Sequence, residues 1–377
     1  MMRITNRRNF ILGSLAGAGA LARPSAVSGS NGKIGVGMIG VGNRGSYLLK
    51  QVLDQPGVRL AALCDIKPDR LDRAASAAAA HKPFTTAEYR KLLERKDVDA
   101  VFIATPCDLH VEMAIAALQA GKHVYCEKPL GITPESIARL VKVARGAETV
   151  FQVGQQRRSS VRLARTIARI RSGVAGKVIM LKAQRHSSHD LAHDGPSADW
   201  FFNAKRSGDV IVEMSVHNLD VCNWIVGEVP ARAAGFGGTL KWVNDPPGRT
   251  NMDGYTLSYE YPGGAKFSYT QVFFHPREMP GGGQYTYVYG TKGAVHMDES
   301  YYYPETSTSG DRPRMLVEPI EEDRQAHVKA FFAAVRGEGK NPADVLVGAR
   351  AALTAILGRE AIYRKKVMEW SDLGVEL

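Results

Sequence analysis

Short apolar segments alternate with amphipathic ones from Lys33 to Val153, and this alternation limits the fold more than any other feature of the sequence. The apolar segments have the length of buried strands, and helical periodicity fills the intervals between them. The predicted strands are 33–39, 58–63, a short one around 84, 100–104, 123–126 and 149–153; the predicted helices are 43–54, 68–80, 86–95, 109–119 and 134–145. Short connections between such elements indicate a doubly wound parallel sheet.

The pattern changes after Gly154. One helix is predicted at 160–171, and strand-like alternation follows with hairpins at 255–274 and 285–297. Helical periodicity returns at 324–364. We therefore expect an α/β protein with an N-terminal segment at 1–32, a Rossmann domain at 33–153 and an α+β domain built on an open sheet at 154–377.

A glycine-rich loop joins the first predicted strand to the first predicted helix, and it reads Gly40-Val41-Gly42-Asn43-Arg44-Gly45. Gly40 permits a tight turn, Gly42 allows backbone amides to approach a pyrophosphate, and Gly45 lets the helix pack on the strand. The helix N-terminus favours an anion, and Arg44 adds a positive charge beside it. The alternative is a glycine turn without a ligand.

Asp65 ends the second predicted strand, where a dinucleotide-binding domain carries the acidic residue that accepts hydrogen bonds from the adenosine ribose. A carboxylate there repels a 2′-phosphate, so NAD is expected as the cofactor. Lys67 and Arg70 follow closely and leave NADP as the alternative.

Two longer segments carry a family resemblance. Thr105-Pro106-Cys107-Asp108-Leu109-His110 leads through a helix to Gly121-Lys122-His123-Val124-Tyr125-Cys126-Glu127-Lys128-Pro129-Leu130. Together with the glycine loop, this chain resembles the Gfo/Idh/MocA oxidoreductases from the end of its N-terminal segment onward. The resemblance implies a second domain with a mostly antiparallel sheet that forms the substrate pocket and the contacts of a homo-oligomer. It also implies cofactor contacts from these residues: Asn43, Thr105, Pro106, His110, Glu127, Lys128, Gln155 and Gln156.

The same resemblance places Lys128 at the nicotinamide and the reacting hydroxyl, with Glu127 shaping the cofactor pocket. A lysine there can donate to a developing alkoxide, and burial is expected to lower its pKa toward neutrality. The alternative is a surface lysine beside a turn proline.

A second constellation is Glu213 followed four residues later by His217. In the family an acidic residue precedes a catalytic histidine at this spacing, so His217 is expected to relay the proton while Glu213 orients or charges it. Glu213 stands where the family more often has Asp, and Ser215 where Gly is common. The alternative for His217 is a partly buried helix histidine near Trp224.

The N-terminus has the layout of a twin-arginine export signal. Arg7 and Arg8 precede an apolar, small-residue run at 11–22, and Ala20-Leu21-Ala22 fits a cleavage site. We expect periplasmic or secreted protein that uses the twin-arginine machinery; the alternative is a basic tail on a cytoplasmic enzyme. Because no free nicotinamide pool exists outside the cytoplasm, export implies a tightly held, recycled cofactor.

Composition excludes several other classes of protein. The net charge of +11 is spread without a basic block, so no nucleic-acid partner is expected. No apolar run reaches the roughly 20 residues that a spanning helix needs, so no membrane anchoring is expected. The four cysteines lack zinc spacing and fit core positions.

A polar loop contains His186, His189 and His193 with Asp190 and Asp194. Its spacing matches no familiar metal motif, so we expect a solvated or substrate-lining loop and no metal. Three aromatic side chains could stack on a sugar, although a core position is favoured for each: Trp200, Phe201 and Trp242.

The sequence therefore predicts an NAD(P)-dependent oxidoreductase for a carbohydrate, polyol or related hydroxyl. One alternative is an NAD-dependent glycosidase that oxidises C3 transiently, eliminates the aglycone, adds water and reduces again. Another is an inactive sugar-binding protein with the same fold.

Overall fold

The computed structural model describes residues 32–188 and 198–377. The predicted export signal lies outside these residues, as do His189, Asp190, His193 and Asp194.

The first domain is a six-stranded parallel sheet. Its strands are β1 (Ile34–Ile39), β2 (Val58–Cys64), β3 (Phe84–Thr86), β4 (Ala100–Ile103), β5 (His123–Cys126) and β6 (Phe151–Val153). The spatial order is β3-β2-β1-β4-β5-β6, with every pairing parallel. The crossover helices are α1 (Asn43–Leu53), α2 (Pro68–Ala77), α3 (Tyr89–Leu93), α4 (His110–Gln119) and α5 (Pro134–Arg145). The order reverses between β1 and β4, so a crevice opens at the carboxyl ends of these two strands. The predicted Rossmann sheet is confirmed.

The second sheet has nine strands in the order β14-β13-β12-β11-β7-β10-β9-β8-β15. These are β7 (Val178–His186), β8 (Arg232–Gly238), β9 (Gly254–Glu260), β10 (Lys266–Val272), β11 (Gly283–Gly290), β12 (Gly293–His296), β13 (Tyr301–Pro304), β14 (Arg314–Met315) and β15 (Met368–Glu369). Its pairings are antiparallel except that β7 and β10 run parallel. The expected open, mostly antiparallel sheet is confirmed, including both hairpins.

The remaining helices follow β6 in sequence. They are α6 (Val161–Arg171), α7 (Ala198–Phe201), α8 (Ala204–Ser207), α9 (Val216–Val226), α10 (Ala326–Val335) and α11 (Val345–Tyr363). A π-helical turn at Ile211–Ser215 leads directly into α9. The helical C-terminal region predicted at 324–364 is divided into α10 and α11.

The division of the chain at Val153 stays a prediction. One helix that follows this boundary in sequence packs against the first domain. Val328, Phe331 and Phe332 of α10 belong to the apolar core beneath β1, β2 and α1. Phe102 of β4 contacts both phenylalanine rings, with centroids 5.2 and 5.7 Å apart. The Rossmann core is therefore completed by a helix that follows β14 in sequence.

The four cysteines are buried and unpaired, as a core role requires. Among residues 32–188 and 198–377, no helix combines the length and apolarity that a bilayer crossing needs.

Candidate active site

The glycine loop packs directly on the end of β4. Gly40 has φ +85°, and a Cβ there would lie 2.6 Å from the Ala104 carbonyl oxygen. A Cβ on Gly45 would collide with the carbonyl oxygen of Gly40. The loop can therefore close under the N-terminus of α1 only with glycine at both positions.

Asp65 fixes the other side of the loop. Its Oδ2 accepts from the Val41 amide at 2.8 Å and its Oδ1 accepts from the Lys67 amide at 2.9 Å. A carboxylate has about four acceptor positions, so two stay open for ribose hydroxyls at the cavity that Asp65 borders.

A cavity of about 670 Å³ lies over this loop. The predicted cofactor residues that border it are Gly40, Gly42, Asn43, Arg44, Asp65, Thr105, Pro106, His110, Glu127 and Lys128. Gly45 lies beneath the loop, and Gln156 borders a second cavity described below. Gln155 borders neither cavity, and its side chain contacts His217. The glycine cradle, the open helix N-terminus and the Asp65 carboxylate together fit a dinucleotide.

Arg44 and Glu127 form an ion pair at this cavity. Arg44 Nε donates to Glu127 Oε1 at 2.7 Å. Burial opposes the charge of Arg44, but the Glu127 carboxylate holds the arginine pKa above its ordinary value. Arg44 therefore brings less net positive charge to a pyrophosphate than the sequence suggests.

His110 supports the turn that carries Lys128. Its Nδ1 lies 2.8 Å from the Pro129 carbonyl oxygen and its Nε2 lies 2.9 Å from the Thr105 carbonyl oxygen. Burial lowers the pKa of His110, so the ring is neutral and donates to one of these carbonyls at a time. It ties the end of β4 to the turn after β5.

Lys128 reaches across to the second domain. Its Nζ donates to the Glu213 carbonyl oxygen at 2.7 Å and to Glu213 Oε1 at 2.5 Å, and both side chains are mostly buried. Burial alone would lower the pKa of Lys128, but the Glu213 carboxylate outweighs it and raises that pKa. The expectation of a lysine pKa lowered toward neutrality is therefore wrong, because the sequence did not show that Glu213 pairs with it.

His217 is held by Gln155 and not by Glu213. Its Nδ1 lies 2.9 Å from Gln155 Oε1. Because that oxygen can only accept, Nδ1 carries the proton and Nε2 keeps a free lone pair. Burial, followed by the positive charges of Lys128 and Arg157, places the pKa of His217 well below its ordinary value. The expected orienting contact from Glu213 to His217 is replaced by these two separate contacts.

A second cavity of about 330 Å³ adjoins the first. The residues that line it are Lys128, Gln156, Arg157, Arg185, Glu213, Met214, His217 and Gln284. Lys128 and Glu213 border both cavities, whereas His217 borders only the second. A molecule in the second cavity would therefore meet a buried ammonium and a neutral imidazole at the junction with the first.

Sequence reasoning missed Arg185 and Gln284 in this cavity. Leu181 and Ala183 are buried, and Arg185 continues the same face of β7. Side chains two residues apart in a strand point to the same face. The sequence could therefore have shown that Arg185 lies on the same face as the buried Leu181 and Ala183.

The remaining candidates lie elsewhere. His186 belongs to β7 and its Nε2 contacts Thr270 Oγ1 at 2.8 Å. Trp200 and Phe201, for which core positions were favoured, border the first cavity, and Trp242 packs near Phe274. Within the described part of the chain, no group of three or more His, Cys, Asp or Glu residues could hold a metal ion.

Comparison with known proteins identifies both domains. A family model described as an oxidoreductase family with an NAD-binding Rossmann fold matches residues 34–155, and the GFO/IDH/MocA C-terminal domain model matches residues 163–296. NAD, the cofactor expected from the glycine loop and Asp65, is thereby confirmed, and the residues that contact it stay a prediction.

The individual relatives share 20–35% of aligned residues with this chain. Myo-inositol 2-dehydrogenase from Thermotoga maritima is 25% identical over 338 residues, which are 89% of this chain and 96% of that protein. A glycosyl hydrolase family 109 protein from Stenotrophomonas maltophilia is 35% identical over 195 residues, which are 49% of this chain and 42% of that one. The structure of levoglucosan dehydrogenase with NADH and levoglucosan covers 89% of this chain and 99% of its own at 20% identity, with a TM-score of 0.75, which shows a shared fold.

Proposed function

The chain belongs to the Gfo/Idh/MocA oxidoreductase family, and we propose that it transfers a hydride between tightly held NAD and a secondary hydroxyl carbon of a sugar or polyol. The observation that carries this proposal is the junction of the two cavities. The Lys128–Glu213 pair borders both, and His217 faces only the second. The sugar or polyol substrate class is supported by the names of the inositol and levoglucosan dehydrogenases to which the chain is similar.

His217 and Lys128 take different parts in the reaction. NAD bound in the first cavity supplies the hydride acceptor. His217 Nε2 removes the hydroxyl proton, because its neighbours keep the ring neutral. Lys128 stays an ammonium and donates a hydrogen bond to the developing alkoxide. Glu213 holds that ammonium in place, and Gln155 fixes the tautomer of the imidazole.

The experiment separates cofactor retention from chemistry. Protein purified without added nucleotide is denatured and its supernatant assayed for NAD(H); we expect near-stoichiometric NAD(H). Native protein is then mixed with myo-inositol, levoglucosan and a panel of hexoses, and absorbance at the NADH band is followed. Lys128→Met should keep the nucleotide and slow the absorbance change roughly a hundredfold or more.

Lys142→Met is the matched control, because Lys142 is exposed on α5. It should behave as wild type. Bound nucleotide that no panel member reduces, or full activity in Lys128→Met, would overturn the assignment. Protein that carries no nucleotide would overturn the tight binding alone.

A redox glycosidase is the second candidate, and the 35% identity to a glycosyl hydrolase family 109 protein favours it. In that case p-nitrophenyl glycosides would release p-nitrophenol without net NADH. A dehydrogenase would accumulate NADH and release none. A binding protein would do neither, and Lys128→Met would bind sugar as the wild type does.

We propose export through the twin-arginine machinery on the basis of Arg7, Arg8 and the apolar run after them. Replacing both arginines with lysine should retain the protein in the cytoplasmic fraction, whereas Arg3→Lys should not. Periplasmic protein after the double replacement would contradict the proposal.

We also propose a homo-oligomer. Met180, Tyr289 and Tyr303 are exposed large side chains. Strand register places them in one row across β7, β11, β12 and β13. Light scattering on the purified protein should give more than one chain per particle, and a monomer would refute this.

A further inference from the structure

A row of polar side chains crosses the inner face of the second sheet. The strand register aligns Gln284 of β11 with Arg185 of β7, Arg185 with Gln271 of β10, and Gln271 with Tyr255 of β9. Burial decreases along the row: Tyr255 and Gln271 are buried, Arg185 is half-buried and Gln284 is exposed. The row therefore runs from the core to the second cavity.

At the buried end of the row, the side-chain oxygen of Gln271 already accepts hydrogen bonds from its neighbours. Gln271 Oε1 accepts hydrogen bonds from the hydroxyls of Ser215, Tyr255 and Tyr269. The two residues in register with Arg185 on the neighbouring strands are glutamines, so no carboxylate lies beside Arg185 in the row.

Arg185 is the cation of the second cavity that lacks a counter-ion. Lys128 pairs with Glu213, and Arg157 Nη2 pairs with Asp298 Oδ1 at 3.2 Å. Among residues 32–188 and 198–377, the Arg185 guanidinium has no ion pair and no hydrogen bond. Arg157 Nη1 is also buried without a hydrogen-bond partner in the described part of the chain. The charge of the Arg185 guanidinium and the Nη1 donors of Arg157 are therefore available to a ligand.

We propose that the second cavity takes a monosaccharide or polyol that carries a carboxylate, held by Arg185 and Arg157 while its reacting hydroxyl lies at Lys128 and His217. Planar guanidinium groups match a carboxylate through paired N–H donors. The volume of about 330 Å³ is near the lower end of small-molecule sites, which suits one sugar unit.

The nucleotide phosphates are not the anion for these arginines. Arg157 and Arg185 border the second cavity and not the first, whereas the glycine loop lies at the first. The positive charge of both arginines also contributes to the low pKa of His217, which agrees with their closeness to the reacting end of the cavity.

This inference rests on the proposed function, and the test keeps the two apart. Pairs of substrates that differ in one carboxylate are compared on the NAD-loaded enzyme: D-glucuronate with D-glucose, D-galacturonate with D-galactose, and D-gluconate with D-glucitol. The readout is the ratio of kcat/KM for acid over neutral partner. We expect a ratio of roughly tenfold to a hundredfold for at least one pair, as hydrogen bonds to a charged group provide.

Arg185→Gln should reduce that ratio to about one, and Arg185→Lys should keep part of it. Lys182→Gln is the control: it removes a positive charge from an exposed position on the same strand, outside the cavity, and should leave the ratio unchanged. If Lys182→Gln also lowers the ratio, the preference for acids comes from the overall positive charge of the region, and the carboxylate site at Arg185 is wrong.

Three further outcomes overturn the inference. Oxidation of the neutral sugars with no preference for any acid leaves the dehydrogenase function standing and removes the carboxylate site. A preference for the acid that survives Arg185→Gln places the anion elsewhere. If no member of any pair is oxidised, the inference falls, and the nucleotide and glycoside assays above decide the function separately.

Discussion

Lys128 and His217 line the same cavity, yet their surroundings move their pKa values in opposite directions. Glu213 raises the pKa of the lysine, and burial together with the lysine's own charge lowers the pKa of the imidazole. Two groups separated in this way can divide proton removal and charge stabilisation between them. The Lys128–Glu213 pair therefore supports His217 as the base without touching it.

The pH profile of kcat/KM should follow from these shifts. The base works when neutral, so the acid limb should lie well below pH 6.5, and Lys128 should add no alkaline limb below its ordinary pKa of 10.5. Gln155→Glu places a carboxylate on Nδ1 and should raise the acid limb by about one to three pH units. An NMR titration of the His217 ring checks the same shift without substrate.

Gln155→Met is the control for that experiment. It removes the acceptor without adding charge, so its acid limb should not rise. An unshifted limb in Gln155→Glu would show that another group controls the profile.

Sequence reasoning identified the residues of this site better than their pairings. Lys128, Glu213 and His217 were all expected in it, because motif spacing fixes which residue types stand there. The partner of each could not be read from spacing: Lys128 and Glu213 lie on different domains, and the π-helical turn at Ile211–Ser215 alters which side chains of the segment face one another. Such contacts depend on how two domains pack.

At the scale of elements, the close packing of α1 on the glycine loop depends on Gly45, which has no side chain. An added methyl group would collide with the Gly40 carbonyl oxygen and force the helix away from the loop. Gly45→Ala should therefore lower the free energy of unfolding by about 1–3 kcal/mol and reduce retained NAD(H). Urea denaturation and nucleotide assay measure both.

Gly146→Ala is the matched control. Gly146 follows α5 with negative φ, and a Cβ there would meet no described atom closer than 3.7 Å. Equal effects of the two substitutions would contradict the packing argument.

A buried ion pair holds the segment after β6 against α9. Arg158 Nε and Nη2 donate to the two oxygens of Asp220 at 2.9 and 2.7 Å, and the Asp220 side chain is 2% exposed. The segment carries Arg157 and the helix carries His217, so this pair fixes the width of the second cavity. Its loss should disturb both stability and substrate binding.

Arg158→Met should destabilise the protein by about 3–5 kcal/mol, because it leaves the Asp220 carboxylate buried without a partner. The double variant Arg158→Met/Asp220→Leu should recover much of that loss. Urea unfolding of the three proteins measures the difference, and a double variant no more stable than the single one would contradict a charge-based cause.

The regular elements of both sheets were largely predictable, since alternation and turn residues specify them locally. The parallel pairing of β7 with β10 was not, because these strands are distant in sequence and no local signal selects their neighbour. Helix α10 was likewise read as part of the second domain, although its apolar face packs in the Rossmann core.

At the scale of the whole molecule, α10 makes the stability of the first domain depend on the far end of the chain. Gln152 Nε2 of β6 donates to the His327 carbonyl oxygen at 2.7 Å, and the His327 ring lies beside Tyr125 of β5 with centroids 5.9 Å apart. Acid should loosen this junction, because it contains a histidine that the fold keeps neutral.

Burial, followed by the charge of Arg44, lowers the pKa of His327 from 6.5 to about 4. The unfolded chain therefore binds a proton that the folded chain refuses between these values, so the free energy of unfolding should fall as pH drops from 6.5 toward 4. This group contributes a loss on the order of 3 kcal/mol. His327→Gln should remove that part of the pH dependence. Urea unfolding of both proteins at pH 8, where the histidine is neutral in both states, provides the reference, and an identical fall with pH in the variant would exclude His327 as the cause.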